Sequence, residues 1–592
     1  MIDNSKVLHN KVVFLQGTVN IPDAVLLDGN KGFPTVAINS KKGMVHLHSK
    51  FYPEKEAGMY WENKLHSYEL SDLVIFIGFG LGYHIKELLR IHPDSKIVAL
   101  ELHPEIWDMA VHNIDLSYLS KAKLFLALVG GDAESIRFAL LKTFNDLRTH
   151  GAMKNIKVYI HPVFEQYVEG YAEILQGVRM AISGFAGSLG TQYNTTEEWH
   201  ENNIENLKYA IKAPIFNISP SIFIGCPVIV IGAGPSLMDN MEILKQIYID
   251  KSAILVAAGT AYPALVKNGI CPHFLGTVDA TLLNWELLNV KEYQEKHGET
   301  ILLFDTITHP WILRDFKGEL AWGFCESNPW AGLYKNCCQK GYPLPAVASV
   351  STYLFALAIK LGCSPIVMVG NDYAYQSDGV RYAADTLADH KMDKEPLYAG
   401  EWTKNYAGEK VFSPYDYSPA KFYISLLSQG VRGIELYNAA YRGAVIEGMP
   451  YRDLGELSEL FKKKNLKLDI DFVKSKIKEI SPAPKESIDF ASALLKEIVR
   501  FEERLAVCRK GKNEKETIRL AEDFLYERDG GLIEKKIWPI VHSFKTNGIT
   551  EYLAEKKQRV NFITICQLVT EKTKKNIENI IKDLQENTAN GE

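Results

Sequence analysis

A run of apolar residues that stops abruptly at glycines narrows the fold more than any other feature of this chain. It stands at Pro227–Leu237, PVIVIGAGPSL. Val228–Ile231 reads as a strand buried on both faces, because four β-branched residues in a row leave no polar side. Gly232 and Gly234 carry no Cβ to keep a ligand from the backbone, and Pro235 with Ser236 suits the first turn of a helix. A helix N-terminus that faces a crevice draws anions through its free N–H groups and its dipole. The same turn also serves as a plain strand-to-helix joint, so its surroundings decide between the two.

The 592 residues exceed what one core organises, which predicts three or four domains. A net charge of −5, from 67 basic and 72 acidic residues spread along the chain, argues against nucleic acid and against a polybasic membrane anchor as partners. The eight cysteines form no C-x-x-C pair and no zinc-ligand spacing, and read as buried free thiols. The opening MIDNSKVLHNK lacks the apolar core of a signal peptide, and no apolar run reaches the length of a membrane span. The expected compartment is a reducing cytoplasm.

Residues 1–70 alternate short apolar stretches, among them Val12–Leu15, Ala24–Leu27 and Val45–Leu47, with turn signals, which predicts a small β-rich unit of antiparallel strands. A Rossmann-like domain is expected over 71–204. Leu73–Ile77 is its first strand, Gly78-x-Gly80-x-Gly82 the turn, Tyr83–Ile91 a helix, and Ile97–Leu100 a second strand ending on Glu101. This unit resembles the nucleotide-binding half of Rossmann-like methyltransferases. The resemblance implies close approach of a nucleotide at the three glycines and Glu101 on ribose hydroxyls; the alternative is a scaffold that keeps only the turn.

Residues 205–455 repeat the α/β rhythm. Strands are expected at Ala253–Ala257, up to Gly276–Asp279, at Ile301–Phe304 and at Pro365–Val369, with a helix over Ala346–Leu361. Ligands of an open parallel sheet bind outside the carboxyl ends of its strands, so Gly234, Ser236, Thr260, Asp279, Ser349, Ser351 and Asp372 are candidates for one crevice. Each has an alternative: Ser349, Ser351, Asp279 and Asp372 as helix or turn caps, Thr260 as packing. From Glu456 the pattern turns helical and charge-rich, with helices expected at Phe461–Leu468, Ile470–Ile480, Lys485–Ala506, Glu514–Asp529, Ile533–Phe544 and Asn561–Leu584. The fold class is thus α/β: a Rossmann-like N-terminal domain, a central α/β domain and an all-helical C-terminal domain over 456–592.

The segments VIVIGAGPSL, AILVAAGTAYPALVKNGICPHFLGTVD, ASVSTYLFALAIKLGCSPIVMVGNDYAY and IELYNAAYRGAVIEGMP resemble the central domain of the motility-associated factor (Maf) flagellin glycosyltransferases. That domain is related to bacterial sialyltransferases and to archaeal 6-hydroxymethylpterin diphosphokinases. The resemblance implies a sialyltransferase-like catalytic domain that takes a CMP-activated nonulosonic acid, of pseudaminic or legionaminic type, as donor and flagellin as acceptor. It implies Gly232, Gly234, Pro235 and Ser236 on the phosphate and ribose, Thr260 and Asp279 on nucleotide or sugar, and Ser349 and Ser351 on the sugar carboxylate. Asn371, Tyr373 and Asn438, in the matching segments, complete the donor set. Asp372 and His390 are the candidate bases, with His309 a third. The aromatic, glycine-punctuated stretch Gln376–Pro419 is expected to act as a lid. No D-x-D pair is visible in the central domain, so neither a metal nor another cofactor is implied. Two rivals remain: an ATP- and Mg²⁺-dependent pterin diphosphokinase, and a non-catalytic flagellin-binding chaperone.

Overall fold

The computed structural model describes residues 4–589 apart from 17–22, 30–31, 41–42, 63, 66–72, 150–154, 169, 218–221, 281, 338–342, 345–348, 377–378, 387–399 and 509–555. Two compact units divide the chain, Met1–Leu189 and Gly190–Glu592. The boundary falls inside one long helix, Tyr171–Ala210, in the polar stretch expected to bridge two domains.

In the first unit a five-stranded parallel sheet has the order β1-β7-β6-β5-β8, formed by β1 (Val12–Phe14), β5 (Leu73–Ile77), β6 (Lys96–Glu101), β7 (Leu124–Val129) and β8 (Ile156–Ile160). All five residues of β5 are buried, as its LVIFI sequence requires of a central strand. β1 departs from expectation. It is not one of the small antiparallel strands but extends this sheet, pairing Val12 with Ala127 in parallel register. A three-residue apolar strand has no sheet preference of its own, and the open edge of β7 takes it. The antiparallel strands are β2 (Ala24–Leu27), β3 (Thr35–Ser40) and β4 (Gly43–His46).

The second unit is built on seven parallel strands in the order β13-β12-β11-β10-β9-β14-β17. They are β9 (Val228–Ile231), β10 (Ile254–Ala258), β11 (Phe274–Thr277), β12 (Ile301–Phe304), β13 (Glu319–Trp322), β14 (Ile366–Val369) and β17 (Leu436–Asn438). β9 lies inside the sheet and its alternate residues serve two cores. Val228 and Val230 pack with the helix Val350–Lys360, while Ile229 and Ile231 pack with the helix Met241–Asp250. Each such side chain contributes roughly 1.5–3 kcal/mol by leaving water.

The described helices after 456 pack onto the central α/β core. Leu457 and Phe461 join the Ile229 cluster, Val473 and Ile477 the Val228 cluster, and Leu494, Ile498, Ile577 and Ile580 a third cluster with Trp322 and Tyr334. The helix expected from Phe461 begins instead at Leu454, because Asp453 accepts hydrogen bonds from the N–H groups of Gly455 (2.9 Å) and Glu456 (3.2 Å). The Ser481–Pro484 break holds, with the next helix starting on Pro484. The helices expected at Glu514–Asp529 and Ile533–Phe544 lie outside the described residues.

Candidate functional site

The strand order of the second unit reverses between β9 and β14. β10 to β13 follow β9 on one side and β17 follows β14 on the other. The loops leaving β9 and β14 therefore part at their carboxyl ends, where open α/β sheets hold ligands. One loop is Gly232–Ser236 and the other Gly370–Tyr373. They are tightly joined: Gly232 N–H donates to Val369 O (2.8 Å) and Gly234 N–H to Gly370 O (2.7 Å). A Cβ on Gly232 would lie 2.5 Å from Gly370 O, and one on Gly234 2.2 Å from Asp372 Oδ2. The two glycines thus admit the neighbouring loop, whatever else they admit.

Ser236 and Asp372, expected in separate roles at the ends of two strands, are hydrogen-bond partners. The Ser236 hydroxyl donates to Asp372 Oδ2 at 2.7 Å and its N–H at 3.2 Å. Both residues are buried. The carboxylate takes the place at the start of the helix where an anionic ligand was expected. Burial pushes the Asp372 carboxyl up to about 6, against the pull of the Ser236 bonds. Asn371 is a strut, its amide donating to Val230 O and Val369 O, both at 3.0 Å.

Tyr373 follows in the left-handed region, at φ 49°. Its buried hydroxyl is directed at Ser349 and Ser351, outside strict hydrogen-bond geometry, and burial raises its pKa. Ser349 also caps the helix Val350–Lys360, accepting from Thr352 N–H at 3.2 Å. The Tyr373 ring meets Tyr417 edge-on at 5.8 Å. Tyr417 is held by Arg381, whose Nε donates to its hydroxyl at 2.7 Å and whose guanidinium lies 4.6 Å from its ring. Arg381 belongs to the stretch expected to act as a lid, where no spacing assigns it a role; only the return of the Ser413–Tyr417 segment past Tyr373, whose carbonyl accepts from the Ser413 hydroxyl at 2.8 Å, brings it to this end of the sheet. Asn438 is fully buried, donating to Tyr406 OH (3.3 Å) and accepting from Ala440 N–H (3.0 Å), so it braces a loop.

At the ends of β10 to β12 a second group forms. Thr260 lies in the turn Gly259–Ala261, and Asp279 accepts His309 N–H on its carbonyl at 3.1 Å. The His309 Nδ1 caps the helix Pro310–Asp315 by accepting from Trp311 N–H, and the Trp311 ring lies 5.2 Å from that of Trp285. The base candidate His390 lies outside the described residues, as do 377–378 and 387–399 of the expected lid; the lid's described part contains a β-hairpin of β15 (Gly400–Lys404) and β16 (Lys410–Pro414), and a segment whose Ala383 N–H binds Ala233 O at 2.8 Å.

Asp305, just past β12, was missed by sequence reasoning. It is fully buried, accepts from Cys325 N–H at 2.9 Å and from Asn328 Nδ2, and burial pushes its pKa up to about 6. Beside it the amides of Asn202 and Asn206 grip the carbonyls of Ile307, Thr306 and Thr308. The visible signal was the asparagines at 202, 203 and 206 on one helix face. The folded state binds the Asp305 proton more tightly than the unfolded chain, so the protonated carboxyl favours folding fully below pH 3.8 and that stabilisation is lost as pH rises through about 6. Relative to Asp305→Asn, the wild type is expected to lose about 2 kcal/mol between pH 4 and pH 7, at 1.36 kcal/mol per unit. Urea unfolding of both proteins across that range checks it; parallel pH profiles would refute it.

A groove of ≈ 840 Å³, lined by Lys208, Lys212, Lys474 and Lys478, opens beside Glu319 and Pro214. Glu319 is the first residue of β13, so the groove lies at the amino ends of the strands. The polar strand ends at the β9–β14 reversal remain the better candidate, because their groups converge where the topology opens the sheet.

In the first unit the glycine turn is filled by the chain's own side chains. Cβ atoms on Gly78 and Gly82 would lie 2.8 Å from His161 Cβ and 2.2 Å from Tyr118 OH. Glu101, the expected ribose ligand, is buried and accepts from Gly80 N–H (2.8 Å) and His103 N–H (3.1 Å). This geometry matches the scaffold alternative.

Residues 201–378 match the family model described as 6-hydroxymethylpterin diphosphokinase MptE-like. A search of curated proteins found no match. Among solved structures, the Maf glycosyltransferase from Magnetospirillum magneticum AMB-1 aligns over 97% of this chain and 93% of its own, with 15% identity and a TM-score of 0.57. Over nearly its whole length the chain therefore has the fold of a Maf glycosyltransferase, around a central part matching the MptE-like model, in agreement with the family its sequence segments resemble.

Proposed function

We propose that the protein is a Maf-type glycosyltransferase that moves a nonulosonic acid, of pseudaminic or legionaminic type, from CMP to a Ser or Thr hydroxyl of flagellin. The observation that carries this reading is the group Asp372, Tyr373, Ser349, Ser351 and Arg381 around the β9–β14 reversal. It offers an anionic donor hydroxyls and a guanidinium, and an acceptor a carboxylate of near-neutral pKa. With Asp372 on Ser236, the donor's phosphate and carboxylate are met by Arg381, Ser351 and the Tyr373 hydroxyl, and its nucleotide by Thr260 and Asp279. The bond from the anomeric carbon to the phosphate oxygen breaks, and CMP leaves with the electron pair. The acceptor oxygen attacks from the opposite face, inverting the centre, and its proton passes to Asp372. No described helix is long and apolar enough to cross a membrane, which fits work on flagellin in the cytoplasm.

The MptE-like match favours a second reading, pyrophosphate transfer from ATP with Mg²⁺. Against it, the strand-end carboxylate Asp305 is fully buried and engaged by Cys325 N–H and Asn328. Ligand-induced melting shifts separate the two. CMP is expected to raise the melting temperature more than UMP, S-adenosylmethionine or ATP with Mg²⁺, reaching about 2.7 kcal/mol of stabilisation at 100 times its Kd. A larger shift with ATP and Mg²⁺ than with CMP would overturn the donor assignment.

A further inference from the structure

The first unit has its own reversal of strand order, between β5 and β8, and three histidines occupy it. His161 follows β8 and its N–H donates to Ile77 O at 2.8 Å. His84 is the second residue of the helix that follows the glycine turn, and His48 lies two residues beyond β4. All three are at most 1% exposed. Their ring centroids stand 4.7, 5.0 and 5.6 Å apart, and one nitrogen of each ring lies within 4.8 Å of one nitrogen of the other two.

Five of the six ring nitrogens have no hydrogen-bond partner; the sixth, His48 Nε2, accepts from Leu81 N–H at 2.9 Å. Buried polar atoms are rarely left so, since each unmet group costs folding free energy. A Cβ on Gly80 would lie 2.7 Å from His48 Nε2 and 3.6 Å from His161 Nε2, so the missing side chain leaves space beside both nitrogens.

We propose that His48, His84 and His161 bind one divalent transition-metal ion of the zinc class. Imidazole nitrogens about 2.0–2.1 Å from a tetrahedral ion place their ring centres about 5 Å apart, the spacing found here, and small ring rotations bring the nitrogens to about 3.3 Å from one another. His48 exchanges its bond from Leu81 N–H for the ion and keeps its proton on Nδ1. Three neutral imidazoles leave one tetrahedral position for water. The ion ties the β2–β4 segment, the glycine turn and the end of β8, and so stabilises the first unit by binding only its folded form. Because the three residues lie 36 and 77 positions apart in the chain, no sequence spacing announces them.

The full chain, stripped with a chelator and dialysed, is titrated with Co²⁺ and then Zn²⁺. The expected result is one equivalent of Co²⁺ with the visible absorption of a four- or five-coordinate site, displaced by Zn²⁺, and a higher melting temperature with metal. His84→Asn and His161→Gln should each weaken that equivalent about 100-fold or more while keeping the metal-free circular dichroism. X-ray absorption of the zinc-loaded wild type, which needs no variant to fold, should count three imidazoles. Absence of a stoichiometric equivalent in the wild type, unchanged affinity in a folded variant, or sulfur ligation would each overturn the assignment.

Discussion

Asp372→Asn is expected to lower transfer to flagellin by about 10²-fold or more and to leave CMP affinity within about twofold. The loss is that of a general base, close to 2.7 kcal/mol at 1.36 kcal/mol per tenfold. The asparagine keeps an oxygen to accept from the Ser236 hydroxyl and N–H, so the two loops stay joined. It cannot take up the acceptor's proton. CMP binding is spared because the carboxylate faces the helix start that Ser236 opens, not the donor's anionic groups. Ser236→Ala is the companion variant. It removes a bond that lowers the Asp372 pKa, so the carboxyl rises further above 6 and the acid limb of the transfer profile moves to higher pH. A flagellin-modification assay with calorimetry on CMP decides. Full activity in Asp372→Asn would make Asp372 a strut between loops and leave His390 as the base.

What the chain disclosed locally, it disclosed well. VIVI and LVIFI can be satisfied only inside a parallel sheet, and Ser349 ahead of an apolar helix announces a cap; β9, β5 and the helix Val350–Lys360 are where those patterns put them. What it concealed depends on strand order. Gly232 and Gly234 signal that something approaches the backbone, but not what. The approaching group is the Gly370–Asp372 loop, more than 130 residues later, because β14 inserts beside β9. The same holds for Asp372 itself: a carboxylate after a strand reads equally as base, ligand or cap until its neighbour is known. Amphipathic spacing in Ile470–Glu479 showed that one face is buried, but nothing in it said that the face packs against the central α/β core and not within a helical bundle.

Gly370→Ala is expected to be among the most damaging single-methyl additions in the second unit. Gly370 has φ 66°, where an L side chain costs roughly 1–2 kcal/mol. Its Cβ would also lie 2.3 Å from Gly232 O and 3.0 Å from Leu237 Cβ. The carbonyl cannot swing aside as a flexible side chain would, since Gly232 N–H is fixed to Val369 O and Gly234 N–H to Gly370 O. Relief must come from parting the β9 and β14 loops, which adds an overpacking cost of about 1–3 kcal/mol. A total near 2–5 kcal/mol follows. Gly408→Ala separates the two contributions, because Gly408 has φ 83° and nothing within 4 Å of its Cβ position, so it carries the backbone strain alone. Urea midpoints of both variants against wild type measure the difference. If Gly370→Ala costs no more than Gly408→Ala, the loops yield freely and the crevice is not held shut by backbone contact. If it costs more and CMP binding falls with it, the same contact that locks Asp372 onto Ser236 also shapes the donor site.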